Sequence, residues 1–340
     1  MEHLILINFE KDPDELYRIF EVQQARDEND RKRLLIIAYR NDGGADVYYQ
    51  GGFPFASQDR VLNHASFIER PMEDARFDVN SDHIEVFFSF EDETGRKIKA
   101  SVNERNRQKK NPFFLLAPVG EVSRNPISLP VYSLYEMSFT RQKYTDIEIE
   151  IDNVKHKPDT FPIPIDCSKN YFTRYSLDAF NVDWNKNFKG PLSPLIPGDK
   201  HEAEEKGISY EYEKNKGHCE IKRISAKNRK HTIRIDFSPA IPDIVCLREG
   251  IGLNGGFSIT TDKTKGTIRG FYQLKREGNE IDIEVRPDCG WEPNESRWVL
   301  RFLFFVVKVF KEWPKSYVWT SKIKLDDVSQ PIMESSWKRV

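Results

Sequence analysis

The sequence predicts an all-β protein of two antiparallel domains, each a β-barrel or a β-sandwich, with one short helix near the N-terminus. Three observations carry that expectation. Apolar and polar residues alternate strictly in several runs, turn residues separate the runs at short spacing, and a proline-bearing segment divides the chain into two pieces of domain size. Alternation with period two sets one face of a strand on a core and the other in water, as in antiparallel sheets. Strands and helices do not alternate in the βαβ manner, which argues against a doubly wound nucleotide fold.

The helix is expected first. Asp12-Pro13-Asp14-Glu15 has the form of a helix start, with Asp12 as cap, Pro13 at the first helical position and Glu15 closing a capping box. Leu16, Ile19, Phe20 and Gln23 follow at helical spacing, and the charged run 26–33 ends the helix. Hairpins come next. Residues 34–39 and 46–49 flank Asn41-Asp42-Gly43-Gly44, and residues 84–90 and 97–102 flank Asp92-Glu93-Thr94-Gly95. Ile147, Ile149 and Ile151 then alternate with Glu148, Glu150 and Asp152.

Residues 185–207, NKNFKGPLSPLIPGDKHEAEEKG, hold Pro191, Pro194 and Pro197 with Gly190 and Gly198. Prolines so placed interrupt a sheet, and the composition is that of an exposed connector. The expected division is a first domain over 1–190, a linker over 191–207 and a second domain over 208–340. In the second domain Ile208, Tyr210 and Tyr212 alternate with polar residues, as do Ile233, Ile235 and Phe237. Residues 256–261, 267–275 and 280–285 continue the meander through 262–266 and Glu277-Gly278-Asn279. In 298–310 the only charges are Arg301 and Lys308. Their seven-residue gap also fits a helix, but the Val, Phe and Trp content predicts a strand. These runs add up to roughly eight strands, the size of a small up-and-down barrel, with a sandwich as the competitor. The tail 326–340 is expected to be loosely held.

Composition narrows the function classes. The 340 residues carry 52 Lys and Arg against 54 Asp and Glu, a formal net charge of -2, so the chain is neither a polycation nor an acidic solvating tail. Aromatics at 12% are too many for a disordered chain. The start, MEHLILINF, has no basic region or long apolar core of an export signal, so a cytoplasmic location is expected. The longest apolar run, 302–307, falls short of the roughly 20 residues of a spanning helix, so no membrane span is expected. Four cysteines without a CxxC read as reduced and mostly buried thiols.

Motifs for familiar chemistry are sparse. The seven histidines show no HxH, HExxH or Cys/His spacing, so no metal and no cofactor are expected. GIGLNGG at 250–256 lacks the following helix that a dinucleotide loop needs, and reads as a Gly-rich turn. His218 and Cys219 are adjacent, but neighbours on a strand point to opposite faces. RNRQKK at 105–110 reads as a solvated loop in a near-neutral chain, so no nucleic-acid partner is expected.

The richest mixture of rings and ionisable groups is YFTRYSLDAFNVDW at 171–184. Tyr171, Arg174, Tyr175, Asp178, Asp183 and Trp184 bring together what lines a small-molecule pocket, or else they are corner residues packing the domains. Trp291, in CGWEP, and the pair Arg297-Trp298 extend that mixture. In GTIRGFYQL at 266–274, Ile268, Gly270, Tyr272 and Leu274 share one face and Arg269, Phe271 and Gln273 the other. In a barrel, Arg269 or Tyr272 then reaches the interior, and Gly270 makes room for a ligand or for curvature.

In layout, with antiparallel strands on both sides of a linker and the hairpin-like FSITTDKTKGTIRG at 257–270, the chain resembles the tandem lipocalin-like family of carotenoid 1,2-hydratases and AttH-like proteins. That resemblance implies two calycin-type barrels and apolar ligands, with isomerase or hydratase chemistry in some members, and it maps no catalytic residue here. Three functions stay open. The first is a pocket protein for a small apolar or amphipathic molecule, with Tyr171, Tyr175, Trp184, Arg269, Tyr272 and Trp291 as ligand contacts. The second is a hydratase, cyclase or isomerase on a terpenoid- or lipid-like substrate, with Asp178 or Asp183 as acid and base and Arg174 stabilising developing negative charge. The third is a glycan-binding or glycan-processing sandwich in which exposed Trp184, Trp291 and Trp319 stack on sugars. The oligomeric state is left open.

Overall fold

A computed structural model describes residues 1–54, 66–72, 74–105, 110–117, 129–165, 167–196, 198, 202–205, 207–228, 230–261, 266–306 and 315–340. Most of the basic run 105–110, residues 262–265 of the expected turn, part of the expected connector and residues 307–310 of the expected strand 298–310 lie outside that set, as do His64 and His201. The chain separates into two compact units, residues 1–115 with 134–180, and residues 116–133 with 181–340.

Strands dominate, as expected. The first fourteen are β1 (His3–Asn8), β2 (Tyr17–Arg26), β3 (Lys32–Arg40), β4 (Ala45–Tyr49), β5 (Ser66–Glu69), β6 (Arg76–Val79), β7 (His83–Glu91), β8 (Lys97–Arg105), β9 (Phe113–Ala117), β10 (Leu129–Arg141), β11 (Thr145–Ile151), β12 (Val154–His156), β13 (Asn170–Ser176) and β14 (Asp178–Trp184). One sheet runs β14-β10-β13-β1-β2-β3-β4-β5, with β9 also on β10, and a second runs β12-β11-β8-β7-β6. The two share a core. Ile5, Ile7, Phe20, Val22, Leu34 and Ile36 from the first meet Ile84, Val86, Phe88, Ile98, Val102 and Ile149 from the second. The Phe20 and Phe88 rings pack edge to face at 5.7 Å.

The other ten strands form one sheet, in the order β15-β24-β23-β22-β21-β20-β19-β18-β17-β16. They are β15 (Phe188–Pro191), β16 (Glu202–Glu205), β17 (Ile208–Asn215), β18 (His218–Lys227), β19 (Thr232–Ile241), β20 (Gly252–Thr261), β21 (Gly266–Glu277), β22 (Glu280–Pro293), β23 (Tyr317–Lys324) and β24 (Ile332–Arg339). Tyr272, Leu274, Ile281 and Ile323 centre its core. The segment read as connector thus contributes to both edges. β15 pairs β24 and ends on Pro191, where an edge strand tolerates a missing N–H, and β16 pairs β17.

Four expectations are corrected. None of the three sheets closes into a barrel among the described residues. The N-terminal helix is instead strand β2. Asp14 accepts from the backbone N–H of Leu16 at 3.0 Å and of Tyr17 at 3.4 Å, so the acid expected in a helical first turn instead holds the turn that enters the strand. Leu16, Ile19 and Phe20 looked helical because β2 is largely buried on both faces and does not alternate. Conversely, the strand expected over 298–310 begins as the helix α1 (Trp298–Val306). Its Leu300, Leu303 and Phe304 are buried at helical spacing, and Glu295 accepts from the Arg297 N–H just before it. The tail is not loose, because β24 pairs β23 from Tyr317↔Arg339 to Lys324↔Ile332, and the buried Trp337 donates its indole N–H to the Asn185 carbonyl at 2.6 Å.

The glycines of β20 and β21 make room for rings. Gly255 faces Tyr272 and Phe257 faces Gly270 in register. A Cβ on Gly255 would lie 2.4 Å from the Tyr272 ring; on Gly270 it would lie 2.4 Å from the Arg286 carbonyl oxygen and 2.5 Å from the Phe257 ring. Each glycine therefore lets the facing ring fold across the strand. Gly255→Ala and Gly270→Ala should each cost about 1–3 kcal/mol from overpacking, with Gly270→Ala the worse because backbone cannot rotate away. Urea unfolding of both variants checks this, and wild-type midpoints would refute the ring-over-glycine account.

Candidate functional site

An aromatic cleft in the second unit and a buried acid in the first bring rings and ionisable groups together. In the second unit the end of β22 and the helix α1 bound a cleft of about 930 Å3, lined by Asp288, Gly290, Trp291, Glu292, Pro293, Trp298, Arg301, Phe302, Phe304, Phe305 and Lys315. α1 is apolar on two sides. Its buried side sets Phe304 edge to face on Trp291, ring centroids 4.8 Å apart. Trp298, Phe302 and Phe305, spaced i, i+4, i+7, face outward, with Trp298 76% and Phe305 67% exposed. Exposed rings in a row on one short helix give the cleft an apolar wall. Gly266 seats Trp291, since a Cβ there would fall 2.7 Å from the indole nitrogen. Arg301, Lys315, Asp288 and Glu292 supply polar groups of both signs at the same cleft. Arg269 pairs with Glu292 at 3.5 Å.

In the first unit, strand register aligns Arg174, Leu6, Glu21, Ile37 and Val47 across β13, β1, β2, β3 and β4. Residues in register share a face, and this one lies opposite the shared core. Glu21 is fully buried there. It accepts from the Tyr39 hydroxyl at 2.6 Å and from the Gln23 amide at 2.6 Å. Burial pushes its carboxyl above the ordinary range, although both donors and the charge of Arg174 pull the other way. Arg174 donates to Asn8 Oδ1 at 2.8 Å and to the Phe172 carbonyl, and lies 4.8 Å from the Phe172 ring centroid. The enclosure of Glu21 by Tyr39 and Gln23 makes it a structural acid.

The expected contacts scatter. On β13, Arg174 belongs to the Glu21 face, while Tyr175 is buried in the shared core and Tyr171 is half-buried. Tyr175 is therefore a packing residue. Asp178 is half-buried at the start of β14, and the Asp183 side chain lies outside the described residues. Trp184 is buried, with no acceptor for its indole N–H among the described residues. Tyr272 is a core residue whose hydroxyl donates to the Pro239 carbonyl at 2.5 Å. Burial, with Glu220 adding, pushes that hydroxyl up to about 12. Arg269 points to solvent instead of an interior. Trp184, Trp291 and Trp319 are all buried, so none has the exposed face that sugar stacking was expected to use. Of the sequence candidates only Trp291, Trp298 and, through Glu292, Arg269 belong to the cleft. α1 supplies the other rings and was hidden by its reading as a strand. Glu21 carried one signal, an acid inside the apolar run 19–22. Among the described residues no helix is long and apolar enough to cross a membrane. Comparison of the chain with protein-family models, curated proteins and solved structures finds no match.

Proposed function

We propose that this protein binds a small apolar or amphipathic molecule in the aromatic cleft between the end of β22 and α1. The observation that carries it is the set of outward-facing rings on α1, Trp298, Phe302 and Phe305, beside a cleft whose size suits a drug-sized ligand of roughly 300–1,000 Å3. Rings give a flat apolar guest its contact area, and Arg301 with Lys315 meets an acidic head group. The family resemblance implies an apolar ligand inside a barrel, whereas here an open cleft would take that role.

The test uses anilinonaphthalene sulfonate, which has an aromatic body and one anionic group. Trp298→Ser and Phe302→Ser remove exposed rings, so the fold should tolerate both. Each should weaken binding about tenfold, equivalent to roughly 1.4 kcal/mol. Arg301→Ala should weaken the sulfonate but not its uncharged parent amine. Unchanged affinity in both ring variants, measured by fluorescence titration, would remove the proposal.

A further inference from the structure

The sequence pairs His218 with its neighbour Cys219, but the fold gives it other company. Strands β18 and β19 run antiparallel, with Ile221 opposite Ile241. His218, which opens β18, therefore comes level with the residues just beyond the end of β19. Those residues form a single 3-10 turn, Ile244–Cys246, capped by Asp243, whose side chain accepts from the Val245 N–H at 3.1 Å. The turn brings Cys246 back over its own cap, and the thiol donates to the second oxygen of Asp243 at 3.4 Å. One ring nitrogen of His218, one oxygen of Asp243 and the sulfur of Cys246 then lie within 4.8 Å of one another, all three residues exposed; Cys246 and Cys167 are thus exposed, against the buried thiols expected.

We propose that His218, Asp243 and Cys246 form a three-ligand site for a thiophilic divalent cation of the zinc class. An imidazole, a carboxylate and a thiol are the three donor types that zinc takes, and a set of three leaves a fourth position for water. Bonds of about 2.0–2.3 Å require donors roughly 3.5 Å apart, so closing on the ion takes about an ångström of side-chain rotation. The cap geometry supports it. Asp243 uses one oxygen on Val245, which fixes the carboxylate, and turns the other toward Cys246. On binding, the Sγ–H bond breaks, the sulfur keeps the electron pair and donates it to the ion, and the proton leaves to solvent. No electron changes hands. The ion ties the start of β18 to the turn after β19.

The test is titration of the full chain with Co2+ under reducing conditions, followed by Zn2+ competition. The expected result is a thiolate-to-cobalt charge-transfer band with the intense visible bands of a four-coordinate ion, lost when Zn2+ is added. Cys246→Ser should abolish the charge-transfer band. His218→Asn should weaken binding at least tenfold, and Cys167→Ser should change nothing. Absence of the band in wild type overturns the proposal, as does its persistence in Cys246→Ser. The thiolate band reports only the metal, so failure here leaves the aromatic cleft standing, and failure of the cleft leaves this site standing.

Discussion

Lys110→Met is expected to destabilise the first unit by about 3–5 kcal/mol, the cost of leaving one charge of a buried pair behind. Lys110 and Glu104 form an ion pair with side chains only 8% and 1% exposed. The ammonium group also donates to the Phe139 carbonyl at 2.6 Å and lies 4.8 Å from the centre of the Tyr175 ring. Without it, Glu104 keeps the Arg141 N–H at 3.2 Å and the Thr145 hydroxyl at 3.4 Å on one oxygen, and no partner for the other among the described residues. Two donors do not hold an ionised carboxylate out of water. Methionine keeps the length of the stem, so the loss is one of charge. Glu104→Gln combined with Lys110→Met removes both charges and should recover a large part of the loss, because a buried pair is worth little against a neutral replacement. Urea denaturation of the single and double variants measures the coupling. A single-variant cost below about 1 kcal/mol, the level of an exposed pair, would show that water reaches it.

That pair shows where sequence reading stops. Lys110 closes the basic run RNRQKK, and a charge run reads as solvated unless its partner is known. Strands whose two faces differ were legible: β7 and β8 are buried at every second residue, as their alternation indicates. β2 was not, because strands covered on both sides lose the period-two signal, and a turn-capping acid ahead of it imitates a helix start. α1 failed in the opposite direction. Its outward face carries Trp298, Phe302 and Phe305 beside the single charge of Arg301, so no clear amphipathic stripe separates helix from strand. The same exposed rings that hid the helix build the cleft, so of its lining rings the sequence pattern points only to Trp291 and Trp298. For His218 the local rule, that strand neighbours diverge, was sound. Its real companions come from the next strand's end, which only the register of β18 on β19 reveals.

The second large effect concerns pH. Burial holds the Glu21 carboxyl above its ordinary value, so the folded state keeps a proton that the unfolded chain releases near pH 4.3. Between that point and the raised folded value the native state binds more protons, and stability falls as pH rises through the window, then levels. Glu21→Gln carries no proton to lose. Its stability relative to wild type should therefore increase steadily across the window and reach a plateau above it. Arg174 favours the ionised form, so Arg174→Met should extend the upper end of the window to higher pH. Tyr39→Phe removes the 2.6 Å bond to Glu21 and leaves a buried oxygen without that donor, a cost of about 1–3 kcal/mol. That cost should be larger above the window, where the carboxylate is charged, than below it. Urea midpoints of the four proteins across a pH series decide the matter. If the Glu21→Gln difference is flat with pH, the carboxyl titrates alike in both states, and its burial between Tyr39 and Gln23 does not govern its charge.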